Sequence, residues 1–114
     1  MKYDIKIYED DQGSLRIDVP DEIYLVDILL LSDVQQDGTK TWINLVDKVL
    51  SKESTYEEIT GNVCTMQVKN DTTKIVFEYA LEGGRDHCFI ETDELKKIFL
   101  LWDQAIEKKY RESN

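Results

Sequence analysis

The sequence predicts an α+β fold, an antiparallel sheet with helices packed on one face, including a C-terminal amphipathic helix. Three observations lead there. Near the start of the chain, apolar residues alternate with polar ones at period two. Residues 54–80 are rich in Thr, Val, Ile, Tyr and Phe and are interrupted by Gly61–Asn62 and Asn70–Asp71, which reads as strands joined by tight turns. Leu95, Ile98, Phe99, Trp102, Ala105 and Ile106 recur at helical spacing. The element order is β-β-α-α-β-β-β-β-α.

Taken in order, Tyr3, Ile5 and Ile7 alternate with Asp4, Lys6 and Tyr8, and Leu15, Ile17 and Val19 alternate again after Glu9–Asp10–Asp11–Gln12–Gly13. Residues 2–19 therefore read as a β-hairpin. From Ile23 to Leu31 the chain is almost continuously apolar, where periodicity does not separate a buried helix from a buried strand; a short helix around 23–33 is the reading adopted. After Asp37–Gly38, Trp42, Leu45, Val46, Val49 and Leu50 form one helical stripe, with Thr39 or Thr41 available as N-cap. Strands follow at Tyr56–Thr60, Val63–Lys69 and Thr73–Ala80, then a loop at Glu82–Asp86 and a short strand at Cys88–Ile90. In the last helix Thr92 is placed to cap, Asp93 and Glu94 face the positive end of the dipole, and Lys108, Lys109 and Arg111 face the negative end. The expected core is Ile5, Ile7, Leu15, Ile17, Trp42, Leu45, Val46, Val49, Ile75, Phe77, Leu95, Ile98, Phe99 and Trp102.

The 114 residues match one ordinary domain, 1–114, and a chain of this length buries about two-thirds of its unfolded surface without help from metal or disulfide. Twenty-four acidic against 14 basic residues give a formal net charge of -10. Nucleic acid and anionic membrane both select for positive charge, so they are poor partners, whereas a basic protein is a good one. Met1–Lys2–Tyr3–Asp4 leads straight into alternating residues, and the longest apolar run, Ile28–Leu31, is far too short to span a bilayer. A cytoplasmic protein is expected, with Cys64 and Cys88 on strands and reduced.

Motifs that carry chemistry are sparse. His87 is the only histidine. His87–Cys88 could be imagined as a nucleophilic pair, but adjacent strand residues point to opposite faces. Gly83–Gly84 does not belong to a phosphate loop, and Glu9–Asp11 lacks the calcium-loop pattern. With 24 acids scattered along the chain, no carboxylate pair stands out as catalytic. The reading is therefore of a binding protein rather than an enzyme, with no metal and no cofactor. Trp42 and Trp102 lie on the apolar stripes of their helices, whereas Tyr8, Tyr24, Tyr56, Tyr79 and Tyr110 are candidate interface anchors.

Three motifs, taken together, resemble small bacterial immunity proteins. They are the helix Trp42-Ile43-Asn44-Leu45-Val46-Asp47-Lys48-Val49-Leu50, the run Glu57-Glu58-Ile59-Thr60-Gly61-Asn62, and the run Cys88-Phe89-Ile90-Glu91-Thr92-Asp93-Glu94-Leu95 ahead of Trp102 in a final helix. Such proteins are encoded beside polymorphic or contact-dependent growth-inhibition toxins, and the resemblance covers roughly residues 40–106. It implies a cytoplasmic antitoxin that binds a cognate toxin, often a nuclease whose basic active site holds phosphates. Interface residues vary from pair to pair in such families, so none is carried over.

The candidate partner-binding residues come instead from acids that cluster beside aromatics in loops and at strand ends: Tyr8, Glu9, Asp10, Asp11, Glu53, Tyr56, Glu57, Glu58, Glu82 and Asp86. Two other readings stand beside the antitoxin: a small-ligand-binding protein or enzyme with an unrecognised pocket, and an adaptor or regulator unrelated to immunity.

Overall fold

Period-two alternation at the start of the chain produces the hairpin it predicts. The structure, a computed structural model, describes residues 1–79 and 86–111. Strands β1 (Lys6–Glu9) and β2 (Leu15–Asp18) pair antiparallel, with Ile7 opposite Ile17 and Glu9 opposite Leu15. Ile7, Leu15 and Ile17 share the inward face, and Lys6, Tyr8 and Arg16 the outward one. This hairpin is a separate two-stranded sheet and does not extend the main one. The physical reason is its apolar face, which packs on the helices instead of leaving a flat ribbon to add at a sheet edge. Peripheral packing also leaves Ile5, Ile7 and Leu15 only half-buried, where the sequence predicts full core positions.

The apolar run that periodicity could not resolve is helical. A 3₁₀ turn at Asp21–Ile23 leads into α1 (Leu25–Ile28), which widens into π-helical turns over Leu29–Val34. Ile23, Leu25, Val26, Leu29, Leu30 and Val34 are at most 1% exposed. A helix apolar on nearly all sides is one that its neighbours surround, and none of these six belongs to the core that stripe-reading predicts. Helix α2 (Lys40–Leu50) follows and buries Trp42, Val46 and Val49. Leu45 on the same stripe is half-buried.

Strands β3 (Glu57–Thr60), β4 (Cys64–Val68), β5 (Thr72–Phe77) and β6 (His87–Glu91) form one antiparallel sheet in the order β3-β4-β5-β6. Met66 stands opposite both Ile59 and Ile75, and Ile75 opposite Cys88. These residues, with Val68, Thr73 and Ile90, make the inner face, which is buried under the helices apart from half-buried Ile59 and Phe77. Both cysteines lie on strands as expected, buried and not joined in a disulfide. Helix α3 (Thr92–Ile106) completes the order and buries Leu95, Ile98, Phe99, Trp102 and Ile106.

Both expected threonine caps work differently. Thr39 holds the N-cap position of α2, but its hydroxyl donates to Asp103 Oδ2 (2.6 Å) in α3 rather than closing its own helix. Glu91, not Thr92, is the N-cap of α3. Asp93 and Glu94 do occupy the first turn of α3, whereas Lys108, Lys109 and Arg111 fall beyond its end, in a π-helical turn at Glu107–Arg111.

Candidate partner-binding surface

Three sequence motifs turn out to build the frame rather than a site. Asp33, at the end of the π-helical turns, accepts from the backbone N–H groups of Val63 (Oδ1, 3.0 Å) and Cys64 (Oδ2, 2.9 Å), and Asn62 Nδ2 donates to the Ser32 carbonyl (3.0 Å). The β3–β4 turn is thereby clamped to the α1 segment, and Gly61 is required because a side chain there would strike Asp33. In the run from Ile90 to Glu94, Ile90 is core, and the Thr92 hydroxyl donates to the Lys69 carbonyl (2.5 Å) while receiving the Thr73 hydroxyl (2.8 Å). Glu94, only 7% exposed, accepts the Lys2 backbone N–H through Oε1 (2.7 Å). Trp102 Nε1 donates to the Gln35 carbonyl (3.3 Å), which fixes the segment ahead of α2.

Most of the acids expected at a partner surface fall in two places. In the hairpin, Asp10 builds its own turn. Its Oδ1 accepts from the N–H groups of Gln12 and Ser14 (both 2.9 Å), and its Oδ2 accepts from Arg16 Nε (2.9 Å). Those bonds, first the one from Ser14 and then the one from Arg16, hold its carboxyl below the usual range. Glu9 pairs with Lys109 Nζ (3.0 Å). Tyr8 and Asp11 are exposed. Grooves of about 510 and 600 Å³ flank the hairpin where it meets the end of α3, one lined by Arg16, Trp102 and Tyr110, the other by Tyr8, Leu101 and Lys108.

The second place is the outer face of the four-stranded sheet, turned away from the helices. Tyr56 precedes β3 and donates its hydroxyl to Glu58 Oε1 (2.5 Å), which raises the tyrosine's pKa. The Thr60 hydroxyl donates to that of Thr65 (2.8 Å), which donates to Glu78 Oε1 (2.5 Å). On β6, Phe89 is 53% exposed, with the His87 ring edge-on at 5.4 Å and Lys74 Nζ 5.9 Å from its centroid. Asp86 Oδ1 pairs with His87 Nδ1 (2.5 Å), which lowers the carboxyl's pKa. At the near end of β6, Glu91 accepts from Tyr3 Oη (2.6 Å) and Lys2 Nζ (2.5 Å), the lysine first among the causes that bring its pKa to about 2.

Of the ten candidate residues, this face gathers Tyr56, Glu58 and Asp86. Glu57 points to the inner side and accepts from Ser54 Oγ (2.8 Å); Glu53 is exposed between α2 and β3. Glu82 lies outside the described residues, as does Gly83–Gly84. Of the candidate tyrosine anchors, Tyr8, Tyr56 and Tyr79 are exposed, whereas Tyr24 and Tyr110 pack against the core. Sequence reading missed Phe89, although its alternation with buried Cys88 and Ile90 places it on the open face. The same alternation separates His87 from Cys88, the former exposed and the latter buried.

Among the described residues, no three His, Cys, Asp or Glu side chains stand together as metal ligands, and no helix is long and apolar enough to cross a membrane. No family model matches the chain, and no solved structure does. The chain is 31% identical over 112 residues to a Bacillus cereus protein named "Immunity protein", covering 97% of this chain and 93% of that one.

Proposed function

Because the chain belongs to the immunity-protein family, we propose that it protects its cell by binding one cognate toxin in a tight 1:1 complex in the cytoplasm. Its role is antitoxin binding, not catalysis. The observation that carries this reading is the near full-length similarity to an immunity protein. The net charge of -10 adds the chemistry of the partner. An acidic inhibitor fits a toxin whose surface is basic, as a nuclease's is where it holds phosphates, and long-range attraction speeds the encounter. A growth-inhibition toxin of the polymorphic or contact-dependent kind is the partner proposed.

The test is co-expression. The toxin domain encoded in the adjacent reading frame is induced in a host with and without this chain, and survival is counted; nuclease activity of the purified domain is then assayed on plasmid DNA and on RNA. Survival restored by this chain, with purified toxin activity blocked at one equivalent, is the expected result. Equal killing with and without the chain would overturn the reading, and a toxin that leaves both nucleic acids intact would remove the nuclease assignment.

A further inference from the structure

We infer that the outer face of the four-stranded sheet is the surface that receives the toxin, with Phe89 as its anchor and Glu58, Glu78 and Asp86 as the acids that meet the toxin's basic groups. The inference rests on the immunity reading and adds to it the surface and the contact chemistry. Three observations carry it.

The first is the exposed ring. Phe89 is 53% exposed in the middle of the sheet's edge strand β6. It stands between two concavities of about 290 and 190 Å³, the first bordered by Gln67 and Lys74, the second by Tyr3 and Glu91. Aromatic side chains are enriched at the desolvated centres of interfaces, and neighbouring hollows let partner side chains pack around one. Lys74 already rests near this ring. A partner arginine can stack on the remaining exposed part in the same manner.

The second is charge complementarity. The described outer face carries Glu58, Glu78 and Glu91 against Lys74 and the Lys2 that pairs with Glu91, with Lys69 and Asp71 at the hollow beside Phe89 and Asp86 at the rim beside His87, so that its acids outnumber its lysines. A cation-rich partner is the occupant such a face selects. The third is preorganisation. The Tyr56–Glu58 bond and the Thr60–Thr65–Glu78 chain fix side chains on a rigid sheet before any partner arrives, which lowers the ordering cost of association. The hairpin acids differ, since Asp10 and Glu9 pair with the protein's own cations Arg16 and Lys109, whereas Glu58 and Glu78 accept from neutral hydroxyls.

The experiment titrates the purified toxin domain from the adjacent reading frame against the whole chain and four variants by surface plasmon resonance. Phe89→Thr keeps a strand-favouring residue and removes the ring. It should weaken binding by about 30-fold or more, mainly through faster dissociation, and Phe89→Tyr should restore most of the loss. Glu58→Lys should slow association severalfold. Glu22→Lys, an equal charge change on the exposed turn before α1, should slow it distinctly less. Thermal melts of all four should match wild type. Unchanged affinity in Phe89→Thr, or equal slowing by Glu58→Lys and Glu22→Lys, would overturn the assigned surface while wild-type neutralisation keeps the immunity reading intact. A wild-type chain that neither binds nor protects would overturn both.

Discussion

A methyl group added at Gly61 would sit 2.6 Å from Cγ of Asp33, inside any allowed contact. Gly61→Ala should therefore displace the carboxylate that holds the Val63 and Cys64 N–H groups, with a loss of about 1–3 kcal/mol in a urea melt. Asp33→Ala should cost a similar amount for the same reason. Cys64 is itself held by this clamp through its backbone N–H. Burial first, and the Asp33 carboxylate second, push its thiol up to about 12. It should thus stay unmodified when the folded protein is treated with iodoacetamide at pH 8, and be alkylated in urea, as mass spectrometry would read. Glu91 behaves in the opposite sense. Its partners Lys2 and Tyr3 favour the charged form, so its contribution is present above the ordinary carboxyl range near 4.5 and is lost as pH falls toward about 2. The stability gap between wild type and Glu91→Gln should accordingly narrow between pH 5 and pH 2. Residue identity alone flagged Gly61 as a turn, but its partner is 28 positions away, and no local pattern points to Asp33.

Phe99 is fully buried at the middle of α3, and the stripe that includes it is the element read most directly from sequence. Phe99→Ala should cost about 3–5 kcal/mol; a loss under about 1 kcal/mol in a denaturant melt would contradict the packing of this helix. The start of α2 is a different case. Asp103 accepts both the backbone N–H (2.8 Å) and the hydroxyl of Thr39, so one helix is capped by the side chain of another. Gly38 beside it has φ +90, and a Cβ there would lie 3.2 Å from Asp103 Oδ1. Thr39 was legible as a cap because threonine favours that position; the direction of its hydroxyl was not, because the carboxylate that takes its proton, Asp103, stands on another helix 64 positions away. The continuous apolar run from Ile23 to Leu31 shows the same division. Its burial was evident from composition, but only the neighbours on all sides decided helix over strand.

At the scale of the molecule, the net charge of -10 predicts that association with a basic toxin slows as salt rises, since screening shortens the Debye length to about 8 Å at physiological ionic strength. Stopped-flow association at low and high salt checks this, and a rate indifferent to salt would remove electrostatic steering. Charge is a sum and needs no coordinates, which is why a basic partner can be proposed from the chain alone. So were the α+β class, the order of elements and the α3 stripe, because period two and helical spacing are local properties of consecutive residues. The tertiary structure decided what those properties leave open. It set the hairpin apart as a second sheet. It paired Asp10 and Glu9 with Arg16 and Lys109 of the protein's own surface. It also brought Phe89 of β6, Glu58 of β3 and Glu78 just after β5 onto one face. The reason is physical: a surface is made by residues distant in sequence, and whether an acid is free or already paired depends on what folding places beside it.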